Sequence, residues 1–210
     1  MTTVLMVIGI IAIGYLLGSI PTAYIMMHLF KKQDLRKLGT GNVTSTAVII
    51  HGGKLAGTLS LLGEIFKTFL CLFIAYLLVN ELWAYLLMLV FAAVGEIWSI
   101  WLKGAGGRGQ TIFVTGFLVL CPIPFLLAGL CFLLSLLTTK RLHLSNQIFH
   151  FVTPIMLMLA NLFNPAIFGL GQHSWGYAIA GAVLCALFFI KHRPETDDII
   201  QAQAWGTYSR

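Results

Sequence analysis

"TIFVTGFLVLCPIPFLLAGLCFLLSLL", residues 111–137, is one apolar run, and whether it crosses a bilayer once or twice decides how the whole chain is threaded. A spanning helix needs about 20 apolar residues, so length alone suggests a single crossing. The middle of the run, "CPIP", argues otherwise, because Pro122 and Pro124 cannot continue a helix begun upstream.

The basic residues arbitrate. Apolar runs lie at roughly 4–30, 57–79, 83–102, 111–137, 146–163 and 174–190. Lys31, Lys32, Arg36, Lys37 and Lys54 fall in the first loop, and Lys103 and Arg108 in the third. Lys140 and Arg141 follow the fourth run, and Lys191 and Arg193 follow the last. Lysine and arginine accumulate on the cytoplasmic side of membrane proteins, so these loops should share one face. They do so only if 111–137 crosses twice, as a hairpin of two short helices broken at the prolines. The expected architecture is an all-α polytopic membrane protein of about seven helical segments in one domain, 1–210. Its N-terminus lies outside and its C-terminus in the cytoplasm.

Composition supports a bilayer setting. The chain of 210 residues is 59 % hydrophobic and 10 % charged, with a mean hydropathy of +0.91; a soluble domain carries about 25 % charged residues. The first apolar run lacks a basic leader and is longer than the core of a signal peptide, so it reads as a transmembrane helix. Cys71, Cys121, Cys131 and Cys185 sit inside apolar runs without CxxC spacing and read as small hydrophobes. His28, His150 and His173 have no mutual ligand spacing, so no metal site is expected. Trp83, Trp98, Trp101, Trp175 and Trp205 stand near expected helix ends, where interfacial anchors belong.

In that topology the polar segments converge on the cytoplasmic face: "GSIPTAY" (18–24), "LRKLGTGNVTSTA" (35–47), "GAGGRGQT" (104–111), "TTKRLHLSNQ" (138–147) and "KHRPE" (191–195). Glycine amides, hydroxyls and Arg or Lys are the materials of phosphate sites. The "GAGGRG" loop can bring amides close to an anion, with Arg108 supplying charge and a bidentate fork. It does not match GxxxxGK[ST]. The competing reading is a tight turn between helices, with Arg108 a positive-inside anchor.

The order of these pieces resembles the bacterial acyl-phosphate:glycerol-3-phosphate acyltransferases, the PlsY family. The resemblance rests on "GSIPTAYI", "LRKLGTGNVTSTAV", "GKLAGTLSLLGEIFKTFL", "GEIWSIWLKGAGGRG", "TK…LHLS" and "IKHRPE", and runs through nearly the whole chain. It implies seven helices and a multi-pass place in the bacterial plasma (inner) membrane. It also implies transfer of a fatty acyl group from acyl phosphate to glycerol 3-phosphate, giving lysophosphatidic acid without metal or cofactor. Membrane lipids are implied partners; no nucleic acid is expected.

Carried over residue by residue, the resemblance implies catalytic roles for His192, Thr40 and Arg108. It implies substrate binding by Ser19, Gly41, Asn42, Gly106, Gly107, Ser145 and Glu96. Thr40 stands for a serine of the family's GSGN, Ala105 and Arg108 for the lysines of its KGGKG, and Glu96 for the histidine of its GHIFP. Ala47 replaces an asparagine, Ile50 an arginine and Glu195 an asparagine, whereas His192 and Arg193 match. His143 and Ser145 take the post-hairpin positions. Two roles are open to Glu96: a general base or a hydrogen-bond partner of the glycine loop. Glu64 and Lys67, three apart on one helix face, form either a structural ion pair or part of the substrate pocket.

No Ser-His-Asp arrangement is readable, so no covalent acyl-enzyme is expected. The altered positions leave two other readings. One is a catalytically degenerate paralogue serving as a lipid-binding or structural subunit with protein partners; the other is an acyltransferase with a different acceptor.

Overall fold

The computed structural model describes residues 2–39, 41–140, 142–163 and 175–191. Every regular element among them is helical: α1 (Thr2–Ser19), α2 (Thr22–Lys31), α3 (Ser45–Gly52), α4 (Lys54–Leu78), α5 (Leu82–Ile97), α6 (Gln110–Leu120), α7 (Pro122–Thr139), α8 (Leu142–Phe163) and α9 (Trp175–Lys191). Short 3₁₀ turns occupy Leu35–Lys37 and Ile100–Leu102. Among the described residues, five helical stretches are long and apolar enough to cross a membrane: Thr3–Lys31, Lys54–Leu78, Leu82–Leu102, Pro122–Thr139 and Leu144–Phe163. Gln110–Leu120 and Trp175–Lys191 are shorter apolar helices.

The run at 111–137 breaks where its prolines require. Cys121 separates α6 from α7, and Pro122 opens α7, the first-turn position at which a missing N–H costs nothing. The halves are unequal, however: α6 has 11 residues and α7 has 18, so only one is short.

Two features depart from the sequence reading. The first apolar run is not one continuous helix; it breaks at Ile20–Pro21, with Pro21 capping α2. Proline has no N–H to give and crowds the preceding turn, so carbonyls at the end of α1 are left to other donors. The first loop also contains a helix of its own, α3. Thr44 caps α3 by accepting the Ala47 N–H at 3.2 Å, a favoured N-cap arrangement.

α1 lies against α5 along small residues. A Cβ on Gly18 would stand 2.0 Å from the Ala92 carbonyl oxygen, and one on Gly95 2.2 Å from that of Tyr15. Small residues that let backbones meet this closely are a characteristic means of helix association in lipid. The main core joins α1, α4, α5, α6, α7, α8 and α9 through residues such as Ile10, Cys71, Leu89, Phe113, Phe125, Leu157 and Leu184. Large apolar side chains such as Phe66, Leu77, Phe163 and Ile190 point outward, as lipid-facing surfaces do. A second, smaller core at the loop end holds Met27 of α2, Leu35, Val48 of α3, Ala56 of α4 and Leu102. It seats α3 and the 32–44 segment against the bundle.

Candidate active site

The site is assembled by two loops whose glycines have separate local causes. In the first, Asp34 accepts the Arg36 N–H at 3.0 Å and pairs with the Arg36 guanidinium at 2.7 Å; that cation holds the Asp34 carboxyl down to about 2. Gly39 and Gly41 then take positive φ, which only glycine adopts freely. Gly41 donates to the Leu38 carbonyl at 2.9 Å. Val43 N–H donates to the Gly106 carbonyl at 3.2 Å, joining this loop to the glycine loop.

In the glycine loop, Lys103 and Gly104 turn the chain through positive φ. Gly106 is pressed against the end of α5, so a Cβ there would lie 2.1 Å from the Glu96 carbonyl oxygen and 2.5 Å from that of Ile97. Gly107 N–H donates to the Glu96 carbonyl at 2.9 Å, and Gly104 N–H to that of Ser99 at 2.9 Å. Gly109 N–H donates to Glu96 Oε1 at 3.2 Å. These amides therefore bond protein acceptors, where the sequence suggested an anion cradle. The glycines serve close backbone approach.

Behind the loop lies a buried charged cluster. Lys67 and Glu64 of α4 pair at 2.8 Å, and Lys67 Nζ stands 3.9 Å from Glu96 Oε2. Lys67 Nζ also donates to the carbonyls of Gly18 and Ile20 at the proline break, at 3.1 and 3.2 Å; the Ile20 carbonyl accepts the Thr22 N–H as well. Thr22 Oγ1 donates to Glu64, and Ser99 Oγ to the Ser19 carbonyl at 2.6 Å. Lys67 and Glu64 are 4 % and 6 % exposed. The ion pair of Glu64 is present, and Glu64 also lines the cavity in front.

That cavity measures about 480 Å³. Glu64, Glu96 and the half-buried Arg108 contribute its charges. Thr44, Ser45 and Thr46 at the start of α3 add hydroxyls, Gln110 and Thr111 open α6 on it, and Asn146 reaches it from α8. Ser45 Oγ lies 2.8 Å from Ser60 Oγ of α4, and Gln110 Nε2 donates to Asn146 Oδ1 at 3.1 Å, so the lining is itself cross-braced. A cation with five fixed donors among hydroxyls and amides suits a polar anion such as a phosphate.

Of the residues singled out in the sequence, Arg108 and Glu96 meet in this cavity. Ser19, Gly106 and Gly107 line an adjoining void of about 10 Å³ that shares Glu64 and Glu96. Gly41 and Asn42 precede Val43 in the first loop and line neither space. Ser145 is buried, with its hydroxyl 3.2 Å from Ser135 Oγ; its neighbour Asn146 is the one that reaches the cavity. Thr40 and His192 lie outside the described residues. Thr44, Ser45, Thr46, Gln110, Thr111 and Asn146 were not singled out. The run "NVTSTA" after two glycines, a hydroxyl-rich N-cap signal, was the available clue to the first three.

A helical membrane-embedded protein with a charged, hydroxyl-lined cavity at one end of its bundle has the makings of an enzyme acting on a polar substrate at a lipid boundary. The family model described as glycerol-3-phosphate acyltransferase matches residues 8–202, and the chain belongs to that family. The glycerol-3-phosphate acyltransferase of Nitrobacter winogradskyi is 33 % identical over 182 residues, covering 87 % of this chain and 86 % of the relative. That of Bordetella pertussis is 32 % identical over 209 residues, covering 96 % and 90 %. The fold is shared with crystal structures of PlsY (YgiH), an integral membrane glycerol 3-phosphate acyltransferase. Its glycerol 3-phosphate form superposes with a TM-score of 0.68 at 23 % identity, covering 97 % of this chain and 94 % of that one. Its lysophosphatidic acid form gives 0.73 at 20 %, covering 94 % and 93 %.

Proposed function

We propose that the chain transfers a fatty acyl group from acyl phosphate to glycerol 3-phosphate at the 480 Å³ cavity, releasing lysophosphatidic acid and inorganic phosphate. Family membership makes it a membrane acyltransferase of phospholipid synthesis. The observation that carries the assignment of this site is the meeting of Arg108 with the hydroxyls of α3 and the amides of Gln110 and Asn146 in one cavity.

In this reading all seven helical stretches cross or enter the bilayer as a single domain. The N-terminus lies outside, and the cavity and C-terminus face the cytoplasm of a bacterial cell. Arg108 holds the acceptor's phosphate, and Thr40 and His192 are its further proposed contacts. The acceptor hydroxyl attacks the acyl carbonyl, a C–O bond forms, and the bond from that carbon to the phosphate oxygen breaks. The hydroxyl proton ends on the departing phosphate. Hydroxyl donors around the cavity stabilise the oxyanion as it develops, and holding the two substrates together supplies much of the rate.

The direct test gives purified protein palmitoyl phosphate and radiolabelled glycerol 3-phosphate. Labelled lysophosphatidate is expected; its absence in an assay where the Bordetella pertussis relative is active would overturn the reading. Arg108 carries a graded expectation. Arg108→Ala removes a charge-assisted contact worth about 1.5–3 kcal/mol. Acceptor affinity should then fall by about ten- to a hundredfold. Arg108→Lys keeps the charge without the fork and should fall between. Superimposable glycerol 3-phosphate titrations of the three proteins would exclude Arg108 from the phosphate site.

A further inference from the structure

Glu96 grips the peptide that carries Arg108 from both sides. Its backbone carbonyl accepts the Gly107 N–H at 2.9 Å, and its side-chain Oε1 accepts the Gly109 N–H at 3.2 Å. The residues immediately before and after Arg108 are thus fixed to one residue at the end of α5. Gly109 has φ +74°, so the N–H given to Glu96 comes from a backbone conformation that few other residues would hold.

The other carboxylate oxygen has a different environment. Glu96 Oε2 and Glu64 Oε2 are both buried. Both approach the same ammonium, Lys67 Nζ, at 3.9 and 2.8 Å. The ammonium thus stands behind the Glu96 carboxylate while Oε1 faces the glycine loop.

From this geometry we propose that Glu96 is the positioning residue of the anion site: with Lys67 beside its Oε2, it holds its Oε1 on Gly109 and its carbonyl on Gly107, aiming Arg108 into the cavity. The inference rests on Arg108 binding the acceptor phosphate. It assigns Glu96 no proton transfer to substrate. A chain of contacts then runs from the proline break through Lys67 to Glu96, and from Glu96 to the flanks of Arg108.

Glutamine at position 96 is the informative substitution. Its carbonyl oxygen accepts from Gly109 as the carboxylate does, while the charge beside Lys67 is removed. Alanine keeps only the backbone half of the grip.

Glu96→Ala, Glu96→Gln and Arg108→Ala would be compared with wild type for steady-state kinetics in detergent, with palmitoyl phosphate and glycerol 3-phosphate varied separately. Glu96→Ala should raise the KM for glycerol 3-phosphate about tenfold or more, the scale of one lost hydrogen bond to a charged group. The donor KM should stay unchanged. Glu96→Gln should recover most of that loss, in KM and in kcat. A Glu96→Gln protein with intact KM and a collapsed kcat would overturn the inference in favour of proton transfer by Glu96. A wild-type acceptor KM in Glu96→Ala would overturn it as well. If Glu96→Ala does not fold, Glu96→Gln decides: an acceptor KM raised tenfold there rejects the hydrogen-bonded grip of residue 96 on the loop. Arg108→Ala separates the two levels. Unchanged acceptor KM in that variant removes the phosphate site itself, whereas a raised KM there beside unaffected Glu96 variants removes only the role of Glu96.

Discussion

Lys67→Met should destabilise the folded protein by about 3–5 kcal/mol, the usual consequence of removing one partner from a buried ion pair. Three kinds of group lose their cation together. The Glu64 carboxylate, 6 % exposed, loses a partner at 2.8 Å, and Glu96 one at 3.9 Å. The carbonyls of Gly18 and Ile20 lose a donor at 3.1 and 3.2 Å, although that of Ile20 keeps the Thr22 N–H at 3.1 Å. Methionine matches the length of the stem, so the effect isolates the ammonium from packing. Thermal unfolding in a single detergent measures it. Adding Glu64→Gln to Lys67→Met should recover part of the loss, because the uncompensated charge is then gone. Identical melting of Lys67→Met and wild type would mean that the cluster contributes nothing to stability.

Gly106→Ala should lower kcat/KM by about a hundredfold, the cost that a misplacement of about 1 Å can impose on a catalytic arrangement. The added methyl would stand 2.1 Å from one backbone oxygen and 2.5 Å from another. Neither can rotate aside as a side-chain tip could, so the loop must lift. Arg108 is two residues on and moves with it, as does the Val43 N–H bond to the Gly106 carbonyl. Gly129→Ala is the matched control, since a Cβ on Gly129 of α7 meets nothing within 4 Å. Activity of Gly106→Ala equal to that of Gly129→Ala would show that the loop's position does not matter to the reaction.

How much of this was legible beforehand depended on the kind of signal. Helix existence followed from apolar runs, and the break before Pro122 from proline's missing N–H. Pro21 carries the same signal, yet it went unread inside a run that looked like one crossing. The convergence of "GTGN" and "GAGGRG" was visible as polarity, and the Val43–Gly106 bond is its physical form. The purpose of the glycines was not visible. A glycine needed for close approach and one needed to present an amide look alike in sequence, and only the Glu96 carbonyl under Gly106 tells them apart. Thr44, Ser45 and Thr46 were hidden for a similar reason: hydroxyls after a turn read first as helix caps, and Thr44 is one.

The interrupted helix at Ile20–Pro21 has a consequence for the physiology of such a protein. Unwound backbone inside a bilayer exposes carbonyl oxygens, and membrane transporters commonly satisfy theirs with a sodium ion or a proton drawn from solution. Here the ammonium of Lys67 takes that place, bonded to Gly18 and Ile20 and carried on the neighbouring helix α4. A charge delivered by the chain itself has no dissociation constant and follows no gradient. The local geometry is therefore insulated from the salt of either compartment, which suits a scaffold that must stay in one shape better than one that alternates between two.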